Sequence, residues 1–404
     1  MKTSMISSAF VFLYIIYVIF GILFYDIGMF DSIDEICPWL LFMLFLFSKK
    51  KISKSFLIFI GICIFYLLYS IIIRSNVLNA IFFDFIIETK PYLTFFSVLC
   101  LRPKFSIEQI NLLKKISLFC LPVLLLIGLL HYGREQTTKG EILAGARFAS
   151  ACVTIALSYY LFAKKDGVKT MVICMLICSI GLLIPTSKYI GECACIIFLF
   201  YSIGRKRRVW NQIFIVLFFI VISYVVYDVI QDDINLYFLT DDVARNALFI
   251  TSFSILNDYI PFGSGFGSFA NSASAIWYSP LYTKYGLDSV FGLAKGEANF
   301  VSDTFFPVLA QFGYAGVLLF FSFLQYIYKS AKLYYRYRGN LKSYKVSLIV
   351  LISIIIESTA DATFIGNRGV GMMLILALSL YDIKDNTTSK IKSLYYNDLD
   401  VPLR

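Results

Sequence analysis

Four basic side chains lie at the start of apolar runs or in a long polar segment between two of them: Arg147, Lys188, Arg245 and Arg368. An ionisable side chain in the hydrocarbon region of a bilayer costs ~2.5–3.5 kcal/mol, so such residues are usually retained for a function. Arginine in particular presents a planar pair of donors that matches the oxygens of a phosphate group. These four cations therefore predict a site for a phosphate or pyrophosphate that is carried by a lipid.

Acidic side chains occupy similar positions, and each has a structural as well as a functional interpretation. Asp303 opens an apolar run, where a carboxylate suits a helix N-cap as well as a proton acceptor. Lys188 and Glu192 have the i, i+4 spacing at which two opposite charges can neutralise each other on a helix. Asp84 and Glu88 have the same spacing but like charge, which helix stabilisation does not explain.

The sequence gives little support for metal or nucleotide chemistry. His131 is the only histidine, and the nine cysteines lie mostly inside apolar runs without a CxxC spacing. We therefore expect no metal site, and we interpret the cysteines as small buried side chains rather than as disulfides. The segment GSGFGS (263–268) is interpreted as a turn, because it follows no strand and opens no nucleotide-binding fold. Neither a cofactor nor a nucleic-acid partner is expected.

The elements that must position these residues are membrane helices. Hydrophobic residues make up 59% of the 404 residues and charged residues 15%, which is unlike a water-soluble domain. A bilayer core of ~30 Å requires ~20 helical residues. The apolar runs predict about twelve spans in one membrane domain (1–404), at 5–25, 33–48, 55–73, 77–100, 113–131, 146–164, 168–186, 189–204, 209–229, 303–328, 343–360 and 367–382.

The net charge of +10 is distributed unevenly between the predicted loops. Basic clusters such as 49–54, 102–115 and 205–208 all fall on one side of the membrane when the spans are counted. Because lysine and arginine are enriched in cytoplasmic loops, that side is expected to be the cytoplasm. Both termini fall on the same side, and residues 383–404 form a polar cytoplasmic tail.

The longest predicted loop, residues 230–301, lies on the opposite side of the membrane. It is rich in aromatic residues and glycine, which favours an ordered lid over a flexible linker. Four aromatic side chains in it are candidates for stacking on sugars: Trp277, Tyr278, Tyr282 and Tyr285.

Four segments together resemble the O-antigen polymerase and ligase superfamily of bacterial envelope glycosyltransferases. GARFAS resembles that family's arginine segment at the start of a mid-chain span, and PTSKY resembles its Ser-Lys element. ARNALFITSFSILNDYIPFGSGFGSF is similar to the loop signature of an arginine, a helix, a proline and a Gly-x-Gly turn. SDTFFPVLAQFGYAGVLLF resembles the closing element, in which nine residues separate a polar pair from Gly313, and Gly316 lies three positions further on. The two glycines are expected to let a neighbouring helix approach closely.

The resemblance implies an all-α, GT-C-like bundle in the inner membrane of a bacterium, with one large extracytoplasmic loop. It implies a polymerase that extends undecaprenyl-diphosphate-linked oligosaccharide repeat units into O-antigen or a related surface polysaccharide, without metal or cofactor. It also allows a chain-length regulator and a flippase in the same membrane as partners.

The implied mechanism assigns roles to the candidate residues. The leaving pyrophosphate gains charge, so cations should stabilise it, with Arg245 the first choice and Arg147, Lys188 and Arg368 as further pyrophosphate-binding residues. The acceptor hydroxyl must lose a proton, and Asp303 is the first choice for its base. Glu297 and Asp361 are the alternatives for that base.

Two other functions remain open at this point. A ligase would transfer finished chains to lipid A core, but Ser302 replaces the histidine with which ligases begin the closing element. A flippase for lipid-linked oligosaccharides would also be polytopic and cation-lined, but flippases seldom carry an external loop as long as 230–301.

Overall fold

The computed structural model describes residues 3–27, 30–132, 143, 146–163, 167–184, 186–204, 244–302, 304–359 and 361–383. Within these ranges the chain is helical, with turns between the helices and no strands. The α-helices, numbered α1 to α14 in chain order, are Thr3–Ile16, Ile33–Phe47, Lys54–Ile73, Leu78–Leu101, Ile107–Leu130, Ala146–Phe162, Val168–Ile180, Ser187–Ser202, Ala244–Asp258, Ser272–Ile276, Pro280–Lys284, Gly313–Arg338, Leu341–Ser358 and Asn367–Ser379.

Shorter helical segments extend or join these helices. A π-helical stretch, Tyr17–Leu23, continues α1, and 3₁₀ segments lie at Gly181–Leu183 and Leu287–Ser289. Two more 3₁₀ segments are important for the site: Phe306–Phe312, here called the 306–312 segment, and Thr363–Ile365 between α13 and α14.

Among the described residues, four helical stretches are long and apolar enough to cross a bilayer: Met5–Leu23, Lys54–Ile73, Ile107–Leu130 and Phe306–Arg338. They support the expectation of a helical membrane protein. Helices also occupy the other predicted ranges, but several are shorter than a bilayer requires, and 209–229 lies outside the described residues. The count of twelve spans and the sidedness of the loops therefore stay predictions.

Helix ends follow local sequence signals. α3 begins after Ser53, whose hydroxyl accepts a hydrogen bond of 3.2 Å from the backbone N–H of Phe56. α5 begins with a capping box, in which Ser106 and Gln109 each accept the other's backbone N–H. α12 is followed by Gly339, whose φ of +66° lies in the left-handed region that glycine adopts without a steric penalty.

The helices divide into a buried centre and a peripheral ring. Every residue of α14, from Asn367 to Ser379, is buried, and the helix packs against α4, α6 and α13. α3 is the opposite case, because only Phe56, Tyr66 and Ser70 are buried in it. Its other side chains are mostly apolar and many of them are exposed, which is stable only against lipid or another protein. α14 therefore lies at the centre of the bundle and α3 at its edge.

Residues 244–302, here called the lid, form a folded unit with a hydrophobic core of its own. That core contains Leu248, Ile255, Phe269, Tyr282 and Leu293, and it is completed by Val308 and Ala310 of the 306–312 segment. Residues 244–302 are therefore folded, whereas their position in an extracytoplasmic loop stays a prediction; residues 230–243 lie outside the described residues.

Candidate functional site

Two of the four cations singled out from the sequence meet in a buried group of charges. The Lys188 Nζ lies 3.1 Å from a carboxylate oxygen of Glu357 and 3.4 Å from one of Asp361. The guanidinium of Arg368 contacts the same two carboxylates, at 3.4 Å to Glu357 and 2.7 Å to Asp361. With Glu192, which is fully buried near Glu357, these residues are here called the ion cluster.

Three elements position the ion cluster. Lys188 and Glu192 lie in the first turns of α8, Glu357 lies at the end of α13, and Arg368 at the start of α14. The turn between α13 and α14 carries Asp361, and it also brings the Thr363 hydroxyl to donate to Glu357 at 3.0 Å. Charges from distant parts of the chain therefore share one buried volume, with two cations facing three carboxylates.

The pairing inside the ion cluster differs from the simplest interpretation of the sequence. The spacing of Lys188 and Glu192 suggested that the two would neutralise each other along α8. Instead, the ammonium of Lys188 makes its ion pairs with Glu357 and Asp361 of a different part of the bundle. Tertiary packing decides the partner because a pair on one helix is worth only ~0.2–0.5 kcal/mol.

Asp361 lies between α13 and α14 and was an alternative candidate for the base. Burial alone would raise the pKa of its carboxyl, but Arg368 and Lys188 outweigh burial and lower the pKa to about 2. A carboxylate with so low a pKa accepts a proton poorly near neutral pH. Its contacts thus favour a role in holding Lys188 and Arg368 over the role of a base.

Arg147 lies in a different pair. Its guanidinium forms an ion pair with Asp26, which also accepts a 2.9 Å hydrogen bond from the Leu143 N–H. The same guanidinium lies 5.7 Å from the centre of the Tyr25 ring. The Arg147 side chain is about half exposed. These contacts place Arg147 against the segment that follows α1, so it is not one of the residues that Glu357 and Asp361 bind.

Arg245 is the second residue of α9 and is half-buried between Ala244 and Asn246, both buried. α9 packs on the 306–312 segment. Just before that segment, the Phe305 ring lies 5.0 Å from the ring of Phe364, in the same turn that carries Asp361. This ring contact connects the residue before the 306–312 segment to the turn that carries Asp361.

The remaining candidates for the base fall in two places. Glu297 is exposed on the lid. Asp303, the first choice, lies outside the described residues, and its assignment stays a prediction.

A second polar group, which sequence reasoning missed, fastens the lid to the bundle. One carboxylate oxygen of Asp84 accepts hydrogen bonds from the Gly267 N–H at 2.7 Å and from the side-chain amide of Gln311 at 3.0 Å. The carbonyl oxygen of that amide accepts from Asn271 at 3.0 Å and from the Ser268 N–H at 3.3 Å. All five residues, here called the clasp, come from α4, the lid and the 306–312 segment.

The clasp explains why a glutamine occupies the middle of an apolar run. Gln311 is fully buried and makes both its donor and its acceptor groups available, so it can link a carboxylate to backbone and side-chain donors. The signal in the sequence was Asp84, an acid in an apolar helix whose spacing to Glu88 had no structural explanation. Its partner could not be named, because Gln311 lies more than two hundred residues further along the chain.

The glycine-rich segment 263–268 is the turn that the sequence predicted, and its glycines have a packing role. Gly267 has a φ of +71°, and a Cβ there would lie 3.0 Å from the backbone of Ala80 in α4. Gly313 has a φ of +63°, and a Cβ would lie 2.3 Å from the Pro261 carbonyl oxygen. The expectation that Gly313 admits a neighbouring helix is wrong, because the close neighbour is the lid backbone. At Gly316 a Cβ would lie 2.1 Å from the side chain of Phe312 in the 306–312 segment, and the Tyr66 hydroxyl of α3 is 3.5 Å away.

The aromatic residues proposed to stack on sugars have mainly structural contacts. Tyr282 is fully buried, with hydrogen bonds to the Ala270 N–H and to Ser274. The Tyr278 hydroxyl donates to the Leu293 carbonyl, and the Tyr285 hydroxyl donates to Asp258. The Trp277 ring packs against Phe83 of α4. Their positions make them part of the lid's framework.

Comparison with known proteins adds no family. No protein-family model matches the chain, and no curated protein matches it.

Proposed function

We propose that the protein polymerises undecaprenyl-diphosphate-linked oligosaccharide repeat units into O-antigen or a related surface polysaccharide, at the outer face of a bacterial inner membrane. The proposal includes the twelve-span topology with both termini in the cytoplasm. The single observation that supports it most is the folded lid with Arg245 on its first helix, fastened by Asp84 and Gln311 to helices of membrane character. A substrate with a membrane anchor and a polar head needs such a polar layer directly on an apolar bundle.

The contacts of the four cations rank them for the role of binding a pyrophosphate. Lys188 and Arg368 already face three carboxylates, so an added phosphate would meet a group of charges that is balanced or negative. Arg147 is matched by Asp26. Arg245 is the first choice for stabilising the leaving group because it lies half-buried at the start of the first helix of the lid, and a preorganised arginine acts most strongly in a site from which water is excluded.

The mechanism requires one further group. As the acceptor hydroxyl attacks the anomeric carbon, its proton passes to a base and the bond to the diphosphate oxygen breaks, leaving undecaprenyl diphosphate. Asp303 is proposed as the base for two reasons. The cations beside Asp361 lower the pKa of its carboxyl and make it a weak base, and Glu297 is exposed. The ion cluster then serves to hold α8, α13 and α14 together beneath the site.

The substitution Arg245→Ala tests the proposal. We expect long glycan chains to be lost and single repeat units to remain, with the rate of extension lowered ~10²–10³-fold, as for other groups that stabilise transition-state charge. Arg245→Lys keeps the charge without the paired donors and should be intermediate. The measurement is the glycan ladder on a gel, together with extension of lipid-linked units by the purified protein.

Lys295→Ala, which removes an exposed cation of the same lid, is the matched control and should leave the ladder unchanged. Normal ladders in Arg245→Ala, Arg147→Ala and Asp303→Asn alike would refute the proposed site. Loss of single-unit products as well would indicate a ligase instead. Extension by purified protein without a transport step would eliminate a flippase.

A further inference from the structure

An apolar groove of about 300 Å³ runs along the edge of the bundle, between α3, α4, α12 and the 306–312 segment. Its walls are mostly aromatic and aliphatic, including Phe59, Tyr92, Phe305 and Leu309. None of the residues that line it was a candidate in the proposed glycosyl transfer. Its volume is at the lower limit for sites that bind small molecules.

The groove is open towards the lipid and closed towards the lid. On its open side, Ile58 of α3 is 63% exposed and Leu319 of α12 is 40% exposed, and both helices have membrane-spanning length. At its outer end, the ring of Phe312 packs 5.0 Å from that of Phe266 and 5.3 Å from that of Tyr66. A molecule in the groove therefore enters from the bilayer, and its polar end cannot extend past these rings.

Among the described residues that line this apolar groove, one carries a carboxyl group, Glu88 of α4. Only 5% of the residue is exposed, and its Oε1 has no hydrogen-bond partner among the described residues. Lys90, two positions further on, is turned to Asp34 and Glu35 of α2. Buried carboxyl oxygens without a donor are rare and destabilising, so an occupant that brings a donor would satisfy this atom.

These features restrict the chemistry of the occupant. The apolar walls suit a hydrocarbon chain, and the ring closure leaves room for a small polar end only. Among the described residues that line the groove there is no lysine or arginine to pair with a phosphate, and a sugar would lose its hydrogen bonds to water against the aromatic walls. A hydroxyl group is small, uncharged and able to donate to Glu88.

We propose that the groove is a binding site for a single-chain lipid alcohol, with the chain along α3 and α12 and the hydroxyl donating to the Glu88 carboxyl. The site is separate from the proposed pyrophosphate site, and the inference does not depend on the polymerase assignment. The apolar walls and the Glu88 carboxyl are already in place in the folded chain, so binding requires no rearrangement of the lid.

Photolabelling in lipid nanodiscs tests this inference on the full chain. Four probes carry the same diazirine-labelled hydrocarbon chain and end in a hydroxyl, a methyl, a phosphate monoester or a phospholipid headgroup. We expect the alcohol to label peptides of α3 and α12 roughly tenfold more than the methyl-ended chain, since one hydrogen bond to a buried acceptor is worth about that ratio. The phosphate monoester and the phospholipid should label weakly.

Variants locate the site and the hydrogen bond. Ser322→Trp at the rim of the groove should reduce labelling by the alcohol, whereas Leu68→Trp, on the exposed face of α3 outside the groove, should not. Glu88→Leu should abolish the preference for the alcohol over the methyl-ended chain, and Glu88→Gln, which keeps an acceptor oxygen, should retain most of it. Size-exclusion profiles of all variants establish that they are folded.

Three results would overturn the inference. Equal labelling by the alcohol and the methyl-ended chain would mean that the groove holds any hydrocarbon and that Glu88 does not select. Stronger labelling by the phosphate monoester or the phospholipid would assign a different headgroup. Unchanged labelling in Ser322→Trp would place the alcohol elsewhere on the bundle.

Discussion

The ion cluster and the clasp both bury carboxylates between distant segments, but they satisfy them in different ways. In the ion cluster, Glu357 and Asp361 face the cations of Lys188 and Arg368. In the clasp, Asp84 is held by a backbone N–H and by the neutral amide of Gln311. The ion cluster thus depends on each charge having its opposite, whereas the clasp depends on the orientation of one amide.

The difference bears on what each region does. The ion cluster joins α8, α13 and α14, all within the bundle. The clasp joins the bundle to the lid. We expect damage to the ion cluster to unfold the bundle as a whole, and damage to the clasp to release the lid first.

The largest expected effect comes from Arg368→Ala. The change leaves Glu357 and Asp361 with Lys188 as their one cation in the cluster, and breaking a buried ion pair typically costs ~3–5 kcal/mol. Thermal unfolding in detergent should show a strong loss of stability. Lys284→Ala is the control, because its pair with Asp258 is half exposed and such pairs are worth ~0–1 kcal/mol. Equal losses in the two variants would contradict the distinction between a buried cluster and a surface pair.

Gln311→Leu should have the next largest effect, about 3 kcal/mol, since three hydrogen bonds are lost at roughly 1 kcal/mol each. We expect the loss of stability to be local. Limited proteolysis should cleave the lid at protease concentrations that leave α12 and α13 intact. Gln325→Leu changes the same residue type at an exposed position of α12 and should resist cleavage like the unmodified protein. Uniform cleavage across the bundle would show that the clasp does not act on the lid alone.

The smallest expected effect is the pH dependence of the ion cluster. The folded pKa of Asp361, about 2, is below its ordinary value of 3.8, so its ion pairs stabilise the fold above pH ~4. That contribution, about 2 kcal/mol, is lost as the pH falls towards 2. The difference in melting temperature between the unmodified protein and Asp361→Asn should therefore shrink between pH 4 and pH 2. A difference that stays constant over this interval would show that the ion pairs of Asp361 do not stabilise the fold.

The comparison also separates what the sequence could predict from what it could not. Apolar runs of membrane length predicted the bounds of α3 and α4 closely, because the length of an apolar run is a local property. The predicted span 303–328 is shifted by ten residues from α12, because a 3₁₀ segment precedes that helix. Lys188 and Arg368 were recognised because charges beside apolar runs are costly. Their partners were not, because an ion pair with Glu357 depends on how helices far apart in the chain pack together. The clasp was missed for the same reason, since Asp84 and Gln311 each stand out in an apolar run but lie more than two hundred residues apart.

The 306–312 segment lies between the hydrophobic core of the lid and the apolar groove. Val308 and Ala310 belong to the core of the lid, whereas Leu309 and Phe312 form part of the groove wall. A shift of this seven-residue partition would alter both compartments together. A molecule that binds the groove more tightly in one conformation of the 306–312 segment therefore also changes the free energy of the lid. By thermodynamic linkage, a change in the lid alters the affinity of the groove for that molecule by the same free energy.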